Sequence, residues 1–339
     1  MTSTNLFEQQ RINRRRSVIL VVIFLLFFAW VGFGGDLAAY FYSTDLPPGA
    51  YHHKFPWFGI IATLVGVGVA WYGWRNGPKQ ILWATGAWEL IDAAKPQEKV
   101  LVNVIEEMAI ASGLPRPTIW IVPDKDPNAF ATGTDERNAH VAVTEGLLVT
   151  LDRDELQAVV AHEMAHIKNY DVKLMTLLAA LVGVIAIISD GSGRMIGRGG
   201  ARVTGGSRPR GKGGQLGALI FVLWLVTLIL APVISRMLAL AVSRKREFLA
   251  DASAAQFTRN PAALAAALRK IEDASAPTSS IKHGSAHLYI ADPLGRKASV
   301  REGFLADLVG THPPMAVRIA RLKQMAYQYE KTGVMPETT

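Results

Sequence analysis

His162-Glu163-Met164-Ala165-His166 is the stretch that decides how this chain is read. Residues four apart on a helix share a face, so both imidazoles can turn toward one ion. Hydrolytic zinc chemistry asks for two neutral nitrogen ligands, a third ligand from elsewhere, an open position for water and an adjoining base. Glu163 supplies the base. The residues before it predict a helix: Asp152 is followed three positions later by Glu155, the spacing of a capping box, and Leu156, Val159 and Val160 recur at helical intervals. Those apolar residues predict burial, which suits a metal site shielded from bulk water.

A third ligand is expected from a second helix. Ser243-Arg244-Lys245-Arg246-Glu247-Phe248-Leu249-Ala250-Asp251 puts Glu247 and Asp251 four apart, on one face. Glu247 reads as a metal ligand, and Asp251 as a carboxylate that accepts from a ligating imidazole or fixes a nearby arginine. The rival reading is a solvated charged helix with Arg244, Lys245 and Arg246 as ordinary partners. Asp171, five residues beyond His166, either orients a ligand imidazole or ends the motif helix. His52, His53, His140, His283 and His287 read as loop or strand surface.

These residues carry a resemblance. The His162-Glu163-x-x-His166 motif with Ser243-Arg244-x-x-Glu247-x-x-Ala250-Asp251 resembles the HtpX-type membrane-integrated zinc metalloproteases, relatives of the CAAX prenyl proteases. Asn128-Ala129-Phe130-Ala131-Thr132-Gly133 upstream, and Thr311-His312-Pro313-Pro314 with Arg318 downstream, are similar to the same family and fall in its order. The resemblance implies a zincin-like (gluzincin) α+β catalytic domain that binds one zinc ion per chain. His162, His166 and Glu247 would be the zinc ligands and Glu163 the general base. Asn128, Ala129 and Phe130 would pair with substrate backbone by strand addition, His312 would hold substrate or the oxyanion, and Arg318 would pair with Asp251. Thr311-His312-Pro313-Pro314 also reads simply as the start of a helix with proline in its first turn.

The chemistry follows from the residue types. Glu163 accepts a proton from water activated by the metal and returns it to the leaving amine of a peptide, without a covalent acyl-enzyme. The chain has no cysteine, which excludes a cysteine nucleophile, a thiolate zinc site and a disulfide framework.

Half of the 339 residues are hydrophobic, and much of that excess is gathered in runs. Residues 17–35 are long enough without a charge to cross a hydrocarbon core, and 55–74 form a second such run with Trp57, Trp71, Tyr72 and Trp74 near its ends. The first run is too long for a usual signal core, so it reads as an uncleaved span. Arg11, Arg14, Arg15 and Arg16 precede it, whereas the connector 36–54 carries two acids and one lysine. The amino terminus is therefore expected in the cytoplasm, and the catalytic domain with it. Two more runs, 174–189 and 216–233, lie between the zinc motif and Glu247. Since both of their outer ends must reach one ion, either both cross or neither does. Two further transmembrane helices are expected, with a buried or re-entrant hairpin as the rival and a flexible Gly/Arg-rich connector at 190–214.

The expected fold is thus a mainly α membrane protein whose catalytic part carries a small antiparallel sheet. Residues 1–80 would hold two transmembrane helices, 81–173 the first part of the catalytic domain, 174–242 the hydrophobic hairpin and 243–339 the second part. Helices are expected at 98–112, 261–272 and 314–329, and strands at Thr118–Val122, 128–132 and Ala139–Thr144. A net charge of +8 beside apolar runs points to anionic lipid. No recognition motif accompanies it that would point to nucleic acid.

Three functions fit: an endopeptidase of the cell (inner) membrane that removes unfolded or damaged membrane proteins in a stress response, a processing enzyme of the CAAX type, and a membrane scaffold with a structural metal. Glu163 argues against the scaffold, because a closed site has no need of a base. Four spans look too few for the chamber of the CAAX enzymes.

Overall fold

A computed structural model of the chain describes residues 6–44, 49, 52–176, 178, 212–240, 245–274, 290 and 313–335. His283, His287, His312, the connector up to residue 211 and the 174–189 run beyond residue 178 lie outside the described residues. Contacts divide the chain into two units. One comprises residues 1–17, 75–179 and 239–339; the other comprises 18–74 and 180–238.

Among the described residues, the second unit contains three apolar helices: α1 (Leu6–Thr44) from residue 18 onward, α2 (Trp57–Ala84) up to residue 74, and α6 (Lys212–Leu240) up to residue 238. The stretches Arg11–Phe41 and Trp57–Ala84 are each long and apolar enough to span a membrane. Their outward faces carry Leu26, Phe58 and Leu64, large apolar groups that suit lipid contact. Glycines let α1 and α2 touch backbone to backbone, for a Cβ on Gly32 would lie 2.6 Å from the Gly59 Cα. Asp36 closes this pair. Its carboxylate accepts from the Gly59 amide at 2.6 Å, at the amino-terminal end of α2, and meets His53 Nε2 at 2.7 Å. The sequence reading of His53 as loop surface is corrected, because this histidine is buried on a carboxylate from a distant part of the chain. Trp224 of α6 donates to the Val31 carbonyl at 2.7 Å, and Trp30 to Thr227 at 3.3 Å, so α6, which contains the 216–233 run, packs along α1.

The first unit holds a four-stranded sheet and a helical layer. The strands are β1 (Trp88–Glu89), β2 (Thr118–Val122), β3 (Ala129–Gly133) and β4 (Ala139–Thr144), in the order β1-β2-β4-β3. β3 and β4 form an antiparallel hairpin, with Ala131 opposite Val141. The expected antiparallel sheet is corrected to a mixed one, since β2 and β4 are parallel, with Trp120 opposite Ala142. The reason is topological. After β2 the chain skips one strand position to lay down β3, and the hairpin return then fills the gap beside β2. Among the described residues, that leaves β3 as the outermost strand on this side of the sheet. The turn that makes this step lies tight on the chain after β4: the Gly146 amide donates to the Asp124 carbonyl at 2.9 Å, and a Cβ at Gly146 would collide with the Lys125 carbonyl.

Helices α3 (Pro96–Ser112), α4 (Glu145–Thr150), α5 (Arg153–Lys168), α7 (Lys245–Thr258), α8 (Pro261–Asp273) and α9 (Met315–Thr332) complete this unit. Several boundaries have a local cause. In α5, Asp152 accepts from the Glu155 amide at 3.0 Å while Glu155 accepts from the Asp152 amide at 2.9 Å, a reciprocal capping box. Pro96 starts α3, and Gly113, at φ 71°, ends it by returning its amide to Ala109 and Ile110. Asn260 caps α8 through the Ala263 amide at 3.1 Å. Helix α5 lies at the centre. Val159, Val160, Ala161 and Met164 are buried among Leu101 and Ile105 of α3, Leu264 and Leu268 of α8, and the sheet. The metal motif is therefore held by a helix packed on most of its surface.

Candidate metal centre

His162 and His166 lie one turn apart on α5, with their Nε2 atoms 3.1 Å from each other. Across from them, α7 presents Glu247, whose two carboxylate oxygens lie 3.7 Å from His162 Nε2 and 3.7 Å from His166 Nε2. Zinc bonds of about 2.0 to 2.1 Å in tetrahedral array put ligand atoms about 3.3 Å apart. The observed separations of 3.1 and 3.7 Å bracket that spacing, so the two imidazoles and the carboxylate could hold one ion.

The far sides of both rings are also engaged. His162 Nδ1 lies 3.0 Å from Asp251 Oδ1, and His166 Nδ1 lies 3.0 Å from Asp171 Oδ2. At His166, where Nδ1 is hydrogen-bonded to Asp171, the carboxylate fixes the tautomer that leaves Nε2 free to bind a metal and makes it a better donor. Of the two readings of Asp171, the structure thus bears out the one that orients an imidazole.

Electrostatics favour a cation here. Burial alone would lower the pKa of His162, but Asp251 and Glu247 overcome it and raise the value to about 9 while the ring carries no metal. Glu163 is 2% exposed, and burial, reinforced by Glu247, pushes its carboxyl above the ordinary range. Its partner is the Ala131 amide of the edge strand. This places a buried carboxyl between the imidazole pair and β3.

Arg318 of α9 is fully buried. It donates to both oxygens of Asp251, at 2.9 Å from Nε and 2.6 Å from Nη2, the pairing the resemblance implies. Nη1 lies 3.4 Å from Glu247 Oε2 and donates to the Ile290 carbonyl at 3.2 Å. Burial opposes the charge of both partners, but each overcomes it in the other: the Asp251 carboxyl is held low by Arg318 and the Arg318 guanidinium high by Asp251.

At the start of β3, the carbonyls of Asn128 and Ala129 face opposite ways. The Asn128 carbonyl accepts from the Thr144 amide beside β4, whereas the Ala129 carbonyl points outward and accepts from the Ile290 amide at 3.0 Å. Phe130 is buried against Leu82, Trp120 and Ala142. Of Asn128, Ala129 and Phe130, Ala129 is the one whose carbonyl turns away from β4, where it meets the Ile290 amide.

Two participants escape the sequence reading. Arg246 is buried, with Nη1 3.5 Å from Asp171, instead of lying on a solvated helix face. Asn13, in α1, is buried on Asp171 as well. Neither has a local signal, since each partner lies far away in sequence.

The sequence matches the profile described as Peptidase family M48 over residues 95–326, a span that includes every element of the site on α5, α7 and α9. A "Protease HtpX homolog" of Leuconostoc citreum (strain KM20) is 39% identical, with 94% of this chain aligned to 100% of that protein. The protein of the same description from Tropheryma whipplei (strain Twist) is 45% identical over 68% of this chain and 73% of its own. Among solved structures, Ste24p of S. mikatae aligns with a TM-score of 0.39 at 18% identity, covering 78% of this chain and 64% of that one, too slight a likeness to bear on the fold. On the family match and its near full-length relatives, the chain belongs to peptidase family M48 and is a membrane metalloprotease.

Proposed function

We propose that this protein is a zinc-dependent endopeptidase of the cell membrane that cuts unfolded or damaged membrane proteins. The observation that carries the reading is the convergence of His162, His166 and Glu247 on one point, with buried Glu163 beside them. A zinc ion held by these three residues would supply an activated water and polarise the peptide carbonyl. Glu163 takes the proton from the attacking water and delivers it to the leaving amine. Asp251 and Asp171 keep the two imidazoles aimed, and Arg318 holds Asp251 in its charged form. A substrate strand adds along the outer edge of β3, using the Ala129 carbonyl and displacing the Ile290 amide from it.

The chain is multi-pass in this reading, with the catalytic domain in the cytoplasm. The arginines at 11, 14, 15 and 16 support that orientation. The preference for damaged membrane proteins rests on the family resemblance and on the spans that bring the enzyme into the bilayer. The full chain, purified in detergent and supplied with zinc, is expected to cut a loosely folded membrane protein at internal sites. A chelator should stop the reaction and zinc restore it. Intact substrate under both conditions would refute the proposal.

A further inference from the structure

The support of the metal centre extends beyond the matched family region. Asp171 spends Oδ2 on His166 and leaves Oδ1 for other partners. The Asn13 Nδ2 donates to that Oδ1 at 2.6 Å and to the Asn169 carbonyl at 2.9 Å. Both partners are acceptors, so the amide nitrogen must face them, and its two hydrogens are both spent. Asn169 is the residue that ends α5. One side chain therefore ties the end of the ligand-bearing helix to the carboxylate that holds His166. Asn13, Asn169 and Asp171 are all essentially inaccessible to solvent, so water cannot readily stand in for the lost donor.

We propose that Asn13 is a positioning residue for the metal centre, holding Asp171 in place for His166, so that α1 serves the zinc site as well as anchoring the chain. The inference rests on the reading of His166 as a zinc ligand. Arg246, whose Nη1 is 3.5 Å from the same oxygen, is a weaker partner by distance.

The test measures release of zinc from the full chain in detergent to a coloured chelator, together with the visible spectrum of the cobalt-loaded protein. Asn13→Ala and Asp171→Ala are each expected to weaken retention by about 10- to 100-fold, the usual effect of removing a group that orients a metal-binding histidine. The double variant should be no worse than the poorer single, because both act through one hydrogen-bonded chain. The cobalt spectrum should shift in all three. Asn13→Asp keeps the volume but replaces the donor with an acceptor facing Asp171, and should release zinc as fast as Asn13→Ala. Arg15→Ala, on the exposed side of the same helix, should match the native chain. Native release from both Asn13 variants, or multiplying effects in the double variant with an unchanged cobalt spectrum, would overturn the role of Asn13 while leaving the metal centre standing. A native chain that takes up no zinc would overturn the centre, and this proposal with it.

Discussion

Arg318→Met removes a buried guanidinium while nearly preserving its bulk, and its consequence can be worked from the contacts. Asp251 would lose two charge-assisted hydrogen bonds, of 2.9 and 2.6 Å, in a place where it is 4% exposed. Removing one partner of a buried ion pair costs about 3–5 kcal/mol, because the other charge is left without compensation. With a urea dependence of roughly 2 kcal/mol per molar, the unfolding midpoint should fall by about 1.5–2.5 M. The buried Trp120 gives a fluorescence signal for that transition in mild detergent. Asp251→Asn relieves the stranded charge, so the Arg318→Met/Asp251→Asn pair should recover more than half of the loss. It should not recover zinc affinity, since His162 would still lack its carboxylate. A midpoint shift below about 0.5 M for Arg318→Met, or strictly additive losses in the double variant, would refute the view that this pair carries uncompensated charge when split.

Further predictions concern single features. Gly146→Ala should destabilise the first unit by about 1–3 kcal/mol, because the new Cβ collides with backbone at Lys125 that the β2–β3 turn holds in place; an unchanged urea midpoint would contradict it. His140 has its pKa lowered, chiefly by burial and then by Lys79, from an ordinary 6.5 to about 4. Between those values the unfolded chain binds a proton that the folded chain refuses, so stability should fall as the pH drops through this window. His140→Gln should flatten the pH dependence of the urea midpoint there, and an equally steep profile would exclude the residue as its source. Replacing His162 or His166 with alanine should abolish stoichiometric zinc uptake, as read by metal analysis after gel filtration; full occupancy in either variant would remove it from the ligand set.

What the sequence discloses is what acts over short range. The box at Asp152 and Glu155, the stop at Gly113 and the β3–β4 hairpin are each made by neighbours in the chain, and the structure reproduces them. The pairing of Arg318 with Asp251 spans 67 residues, and only the family resemblance made it readable. The parallel contact of β2 with β4 depends on which gap the hairpin fills, a choice that no alternation of apolar and polar residues records. The burial of His53 on Asp36, of Arg246 on Asp171 and of Asn13 on the same carboxylate belongs to this second kind. Arg246 in particular sits in a run of charge that looks solvated until α7 is packed against its neighbours. The Asn128-Ala129-Phe130 stretch shows both sides of the matter. Its role in strand addition came only from the family resemblance, and the direction of each carbonyl became clear only from the register with β4.

The central claim is that Glu163 works as the base beside a zinc ion held by His162, His166 and Glu247. Glu163→Gln tests it most directly, because the amide keeps the size of the side chain and loses its ability to accept the proton. Native and variant chains should each hold one zinc per chain, while the rate of peptide cleavage falls by about 10² to 10⁴-fold in the variant. A variant that holds its zinc and still cuts at the native rate would contradict the account.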